Sequence, residues 1–268
     1  MSIAGRRRLM SMKIQQMRKQ FLDMDGQTLK QTIQYLKALA QEIRAATVGA
    51  VGWDAANLQM IRAEVERAIL RFENRLFTLI SENQLTAWQL GINGVDDVLA
   101  AAEVDAMVPL LSDAQLLVLR DFSADLVTGL TRDTLGKVNN AVSLGVVGQR
   151  SPYETMREVD RILGIEKVKG VTARAEKIAR TEVGRAQSIA RQLRMEQIAQ
   201  RVPELRKQWH TGINPREAHA RADGQIRQVD EPFDIDGYEA MEPRDPGLPA
   251  EQVVNCNCTS EIYLPELA

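Results

Sequence analysis

The amino-acid sequence predicts a mainly α protein: a long helical hairpin, a helical middle subdomain, and a small α/β cap at the C-terminal end. Three observations carry this. Aromatic residues are only 4% of the 268, so the core must be built from Leu, Ile, Val, Ala and Met, several of them strong helix formers. As far as residue 200, apolar positions recur at alternating spacings of three and four, which lines up one sticky stripe on a helix. Beyond Trp209 that period gives way to short β-type runs punctuated by Gly and Pro.

In chain order, residues 1–12 read as a basic, flexible N-terminal arm. Residues 13–94 form the hairpin. Its first helix, to about Ala46, carries Ile14, Met17, Phe21, Leu29, Ile33, Leu36 and Ile43 on one side, with Asp25-Gly26 as a kink or break. Val48 to Trp53 is a turn with two glycines, and Asp54 caps the second helix, which runs to about Gly91 with Ile61, Val65, Ile69, Phe72 and Leu76 aligned. Two striped helices on a short loop pack antiparallel, and the stripe serves either that packing or docking onto another protein. Asn93-Gly94 ends the hairpin.

Residues 95–208 make the helical subdomain. Val95 to Leu111 is a short helix interrupted near Pro109, and Ser112 to Gln115 is a capping box for a helix with Leu116, Leu119, Phe122, Leu126, Val127 and Leu130 inward. Gly148 stops the helical pattern. Ser151-Pro152 with Glu154 opens a helix to about Leu163. Gly164 to Val171 is a linker, Thr172 caps, and Ala173 to about Gln200 is a long helix.

Residues 209–268 form the cap. Asn214 as N-cap, Pro215 at the first helical position and Glu217 reaching back start a short helix that Gly224 ends, which puts His219 on a capped helix. Gln225 to Val229 has strand character, 232–249 is irregular, and Val253 to Leu264 returns to β-type residues. Within a strand Cys256 and Cys258 share a face, and they are too close for an easy disulfide. Every His and Cys of the protein lies here: His210, His219, Cys256 and Cys258. Thiolate and imidazole are the usual zinc ligands, so Cys256, Cys258 and His219 are candidate ligands, with His210 or Asp223 as a fourth. The competing reading is that these side chains only pack and hydrogen-bond to hold an aromatic-poor cap together.

Apolar residues at 44% and charged ones at 26% place the chain among ordinary globular proteins, and no apolar run reaches the roughly 20 residues of a membrane span. Three N-terminal arginines lack an apolar signal core behind them, so secretion is not expected. The net charge of −2 hides an asymmetry: 1–20 carries +6, 172–210 carries +5 and 211–268 carries −8. Charged faces are usually only solvated, but this layout also suits an anionic partner at one end. Arg6, Arg7, Arg8 and Lys13 are the candidate DNA contacts, and Arg180, Arg185, Arg191 and Arg194 the alternative set. No Gly-rich phosphate loop and no nucleophile turn are present, so the chain is not expected to be an enzyme.

An ordered set of motifs then becomes usable: I-A-R-T-E-V (178–183), W-H-T-G-I-N-P-R-E-A-H (209–219), Asp223-Gly224, Pro232-Phe233, P-x-x-P-G-x-P-A (243–250) and N-C-N-C (255–258), preceded by G-Q-R-S-P-Y-E-T-M-R-E-V-D-R-I-L-G-I (148–165). Over about 112–263 the chain resembles the Mu F-like head morphogenesis family of tailed phages. It departs from that pattern at Asn214, where an aspartate is usual, and at Asn257, where a basic residue is common. The resemblance implies that Arg180, Thr181, Glu182, Trp209, Arg216, Asp223, Gly224 and Asn255 form a structural motif, with Arg180 and Glu182 tying their helix to the cap by charge-assisted hydrogen bonds. Some relatives carry a C-x-x-C pair whose second cysteine falls where His219 stands, which implies zinc as cofactor. It further implies a minor head protein that joins the procapsid through the portal and stays inside the capsid near the portal vertex. Assembly would be in the host cytoplasm, with scaffold, major capsid protein and double-stranded DNA as further partners, no membrane, and a part in DNA packaging and ejection. Two other readings stand beside it: a metal-dependent nuclease or other enzyme domain carried by the virion, and a structural head–tail connector component.

Overall fold

The structure, a computed structural model, describes residues 1–48, 55–164 and 169–267. The expected Gly-containing turn from residue 49 on, the Asp54 cap and residues 165–168 of the expected Gly164–Val171 linker lie outside the described residues, while Gly170 and Val171 already belong to a helix. The chain is mainly α with a small antiparallel sheet at its C-terminal end, as its periodicity predicts. The helices are α1 (Ile3–Val48), α2 (Ala55–Ala102), α3 (Ala114–Val146), α4 (Pro152–Leu163), α5 (Gly170–Ala199), α6 (Glu217–Ala222) and α7 (Ala250–Val253). The strands are β1 (Arg206–His210), β2 (Ile226–Gln228), β3 (Phe233–Ile235), β4 (Tyr238–Ala240) and β5 (Thr259–Tyr263).

Two compact units divide the chain, and both are discontinuous in sequence. The first takes residues 1–26, 82–120 and 180–268; the second takes 27–81 and 121–179. This division differs from the serial one drawn from the sequence, because each long helix contributes to both units. Within each unit α1 and α2 lie antiparallel: Lys13 pairs with Asp97 in the first, and Arg71 with Glu42 in the second. The apolar stripe is spent on this packing, with Leu36, Ile43, Ile61, Val65 and Leu76 at most 1% exposed.

Three boundaries of the long helices differ from expectation, each for a packing reason. Residues 3–12 are helical rather than a flexible arm, because α1 begins at Ile3 and Met10 is buried among Val98, Leu99 and Ala102. Arg7 Nε also donates to the Leu267 carbonyl at 2.6 Å. Second, α2 passes through Gly91 and Asn93-Gly94 without stopping. These glycines let other chain segments approach: a Cβ on Gly91 would sit 2.6 Å from the Gln187 carbonyl oxygen of α5, and one on Gly94 would overlap Met17 of α1. Third, Thr172 lies inside α5 and its hydroxyl donates to the carbonyl of Leu163, the last residue of α4, at 2.9 Å, so it is not the N-cap of α5.

The Ser151 capping box is present in full: the Ser151 hydroxyl accepts from Glu154 N–H, and the Glu154 carboxylate accepts from Ser151 N–H. Ser112 instead accepts from Ala114 N–H at 3.2 Å, and Phe122 stays 47% exposed rather than inward.

In the C-terminal part the sheet order is β2-β1-β5, all antiparallel, with His210 opposite Thr259 and Trp209 opposite Ser260. The stretch 232–249, expected to be irregular, contains the β3–β4 hairpin. Its turn, Asp236-Gly237, puts both residues at positive φ, the geometry that the tightest hairpins need.

Candidate metal centre

His219 stands on α6, which starts at Glu217 with Arg216 as N-cap. Asn214 takes a left-handed backbone (φ 51°), so it does not cap, and α6 begins later than its sequence suggests. Cys256 and Cys258 lie in the turn between α7 and β5, not in a strand. They nonetheless sit side by side, because Asn255 at φ 57° reverses the chain and the exposed Asn257 points away between them.

His219 Nδ1 lies 3.3 Å from Cys258 Sγ and 3.6 Å from Cys256 Sγ, and the three donor atoms are all within 4.8 Å of one another. All three side chains are 1–2% exposed. His219 Nε2 is buried without a partner among the described residues. Trp209, fully buried on β1, meets the His219 ring edge-on at 5.7 Å and the Phe233 ring at 5.2 Å. The cluster therefore forms one wall of a small core shared with Ala218, Ala222, Phe233, Ile235 and Val253.

The two sulfurs are electrostatically distinct. A hydrogen bond from the Cys258 thiol holds Cys256 down to about 4, against the opposing effect of burial, and the bond to His219 adds to it. The same bond, with burial, pushes Cys258 up.

His210 does not join the cluster. Strand alternation sends it to the face of β1 opposite Trp209, where burial, followed by the charge of Arg18, lowers its pKa. Asp223 is engaged elsewhere, its Oδ1 accepting from Thr211 N–H at 2.8 Å, while Gly224 at φ 77° donates to the Trp209 carbonyl.

The helix–cap tie works through different atoms than expected. Arg180 reaches Asp25 of α1 at 3.1 Å, and Glu182 pairs with Arg185 on its own helix at 2.6 Å. Burial raises the Glu182 pKa despite that partner. Contacts from this part of α5 to the cap include Thr181 Oγ1, which accepts from Asn255 N–H, and Arg185, which donates to the Arg244 carbonyl. Arg216 donates to the Val254 carbonyl, closing the turn that carries Cys256.

Sequence reasoning missed Arg244, though it is central to the site. Its guanidinium is 2% exposed, donates to the Gly184 carbonyl, the Ser188 hydroxyl and the Cys258 carbonyl, and lies 5.8 Å from the Phe21 ring centre. Burial lowers its pKa, and the sulfurs of Cys256 and Cys258 are the largest opposing influence. An arginine in an acidic, Pro-rich stretch gives no periodic signal.

The candidate DNA contacts are largely committed within the first unit. Arg6 donates to the Ala102 carbonyl, Arg7 to that of Leu267, and Lys13 pairs with Asp97, which leaves Arg8 exposed. The alternative set is spent as well: Arg191 meets Glu261 and the Ser260 carbonyl, and Arg194 takes both Asp96 oxygens.

The segment that carries all of this has a recognised likeness. Residues 138–261 match the family described as Phage Mu protein F like protein. The Mu F-like segment thus holds α5, β1, β2, the start of β5, the His/Cys cluster and Arg244. Part of this chain is 34% identical over 132 residues to the NAD(+)--arginine ADP-ribosyltransferase EFV of Enterococcus faecalis, covering 48% of this chain and 26% of that protein. It is also 43% identical over 91 residues to the uncharacterized protein YqbB of Bacillus subtilis, covering 32% of this chain and 29% of that one. The chain thus spans under a third of the length of the curated relatives it matches. No solved structure matches it. Among the described residues, no helix is long and apolar enough to cross a membrane.

A buried ionisable pair beside this core gives a pH prediction. Lys207 is fully buried, its Nζ donating to the Met241 carbonyl and lying 4.9 Å from the Phe233 ring centre, and burial pushes it down to about 8. Burial pushes Glu242 up to about 8, helped by Asp245 and opposed by Lys207. In the unfolded chain Glu242 ionises near 4.5, whereas folding holds its proton until about pH 8. The folded state therefore loses stability as pH rises from 4.5 to 8. Glu242→Gln escapes that loss, so its stability relative to wild type should improve by on the order of 2–4 kcal/mol between pH 5 and pH 8. Denaturant melts at the two pH values check it, and a pH-independent difference would refute it.

Proposed function

We propose that the protein acts in phage head morphogenesis as a minor head protein that associates with the portal inside the procapsid and supports DNA packaging and ejection. The observation that carries this is the Mu F-like match over 138–261, the segment in which the cap and its supporting helix are built. The mechanism we favour is adhesion without turnover of a substrate. The His/Cys cluster is packed at 1–2% exposure, and a packed cluster does not offer a reacting group to a substrate.

The helix stripe that the sequence offered for docking is buried within each unit, so the adhesive surface in this proposal lies elsewhere. Met107, Leu110, Leu117 and Val118 in the first unit are 58–92% exposed and neighbour one another along the chain. Clustered exposed apolar side chains are a recognised mark of protein contact. Contact with packaged DNA would rest on Arg8 and Lys19, exposed cations of the N-terminal stretch, with the also exposed Arg7 engaged by the Leu267 carbonyl. It should fade steeply with salt.

Co-expression with the portal protein of the same phage tests the proposal. We expect co-purification, lost in Met107→Asp/Leu110→Asp with an unchanged melting temperature. Failure of the wild-type chain to co-purify, or nicotinamide release from NAD+ by the purified chain, would overturn the adhesive reading.

A further inference from the structure

We propose that Cys256, Cys258 and His219 bind one soft divalent cation, zinc by the chemistry of the donors, through the two sulfurs and Nδ1. Four observations carry this, and none depends on the phage-head reading. First, the edges fit. An ion about 2.3 Å from sulfur and about 2.0 Å from nitrogen, at tetrahedral angles, sets sulfur and nitrogen about 3.5 Å apart. The structure has 3.3 and 3.6 Å.

Second, the main chain closes tightly around the sulfurs: Gly212 packs so near that a Cβ there would overlap the main chain of Asn257, the residue between the two cysteines.

Third, Arg244, itself buried, pins the turn that carries the sulfurs: its guanidinium donates to the Cys258 carbonyl and, on α5, to the Gly184 carbonyl and the Ser188 hydroxyl. Outer contacts of this kind hold a ligand in place for its ion. Fourth, all three donors are buried and come from two separately anchored elements, α6 and the turn before β5, so the site is assembled by folding. His210, on the other sheet face, is not a ligand.

The test uses the full chain purified without chelator. We expect about one zinc per chain by elemental analysis, and, after stripping, a sulfur-to-cobalt charge-transfer band that saturates at about one equivalent of Co2+. Cys256→Ser/Cys258→Ser should abolish the band, and His210→Ala should leave it unchanged. Because the double variant can fail to fold, the wild-type chain supplies a second readout: chelation should lower its melting temperature, and zinc should restore it. Under about a tenth of an equivalent of zinc, even after zinc soaking, together with no cobalt band, would overturn the site. So would a band that survives in a folded double variant, or one that disappears in His210→Ala. None of these outcomes bears on portal co-purification.

Discussion

Trp209→Ala should lower the unfolding free energy by about 3–5 kcal/mol, the range for emptying a large aromatic site in a packed core. Trp209 is fully buried and stands between the His219 and Phe233 rings, so its removal opens a cavity between α6 and the β3–β4 hairpin. Its β1 backbone is pinned by the Gln225 and Gly224 hydrogen bonds, which prevents collapse into the gap. Trp209→Phe should cost much less, because the indole Nε1 has no hydrogen-bond partner among the described residues to lose. Urea melts of the three proteins check the series. A loss under about 1 kcal/mol for the alanine variant would show that the cap is not organised around this side chain.

Glu261→Ala should be comparably severe, costing about 3–5 kcal/mol, for an electrostatic reason. Glu261 on β5 is 3% exposed, accepts from Arg18 of α1 at 3.1 Å and forms an ion pair with Arg191 of α5 at 3.1 Å. Arg191 is itself 3% exposed, so deleting the carboxylate strands a buried charge. Arg18 suffers less, being partly solvated and also bonded to Thr259. The double variant Arg191→Met/Glu261→Leu should recover much of the loss, since replacing both partners removes the uncompensated charge. If the double variant is as unstable as the sum of the single ones, the ion pair is not the source of the effect.

These residues also show how much was legible beforehand. The Ser151 cap is a local device, its partner three residues away, and the structure reproduces it. The gathering of His219, Cys256 and Cys258 was legible from composition, because the chain has few such residues and places them close together. Arg180 shows the limit. Its charge invited a partner in the cap, but the carboxylate that meets it is Asp25 on α1, 155 positions away. Arg191 and Arg194, which the sequence offers as alternative DNA contacts, are buried against Glu261 and Asp96. A helical wheel records which residues share a face, not which acidic chain comes to cover it.

The sequence by itself determined the helical class, the positions of the long stripes and the location of the thiol and imidazole groups, because period, capping and composition act over a few residues. Tertiary structure alone decided that Gly91 and Gly94 admit neighbouring segments instead of ending a helix, that His210 faces away from the sulfurs, and that Arg244 lies buried beside them. Each of these depends on which distant segment arrives at close range, and steric contact and Coulomb attraction act only once it does.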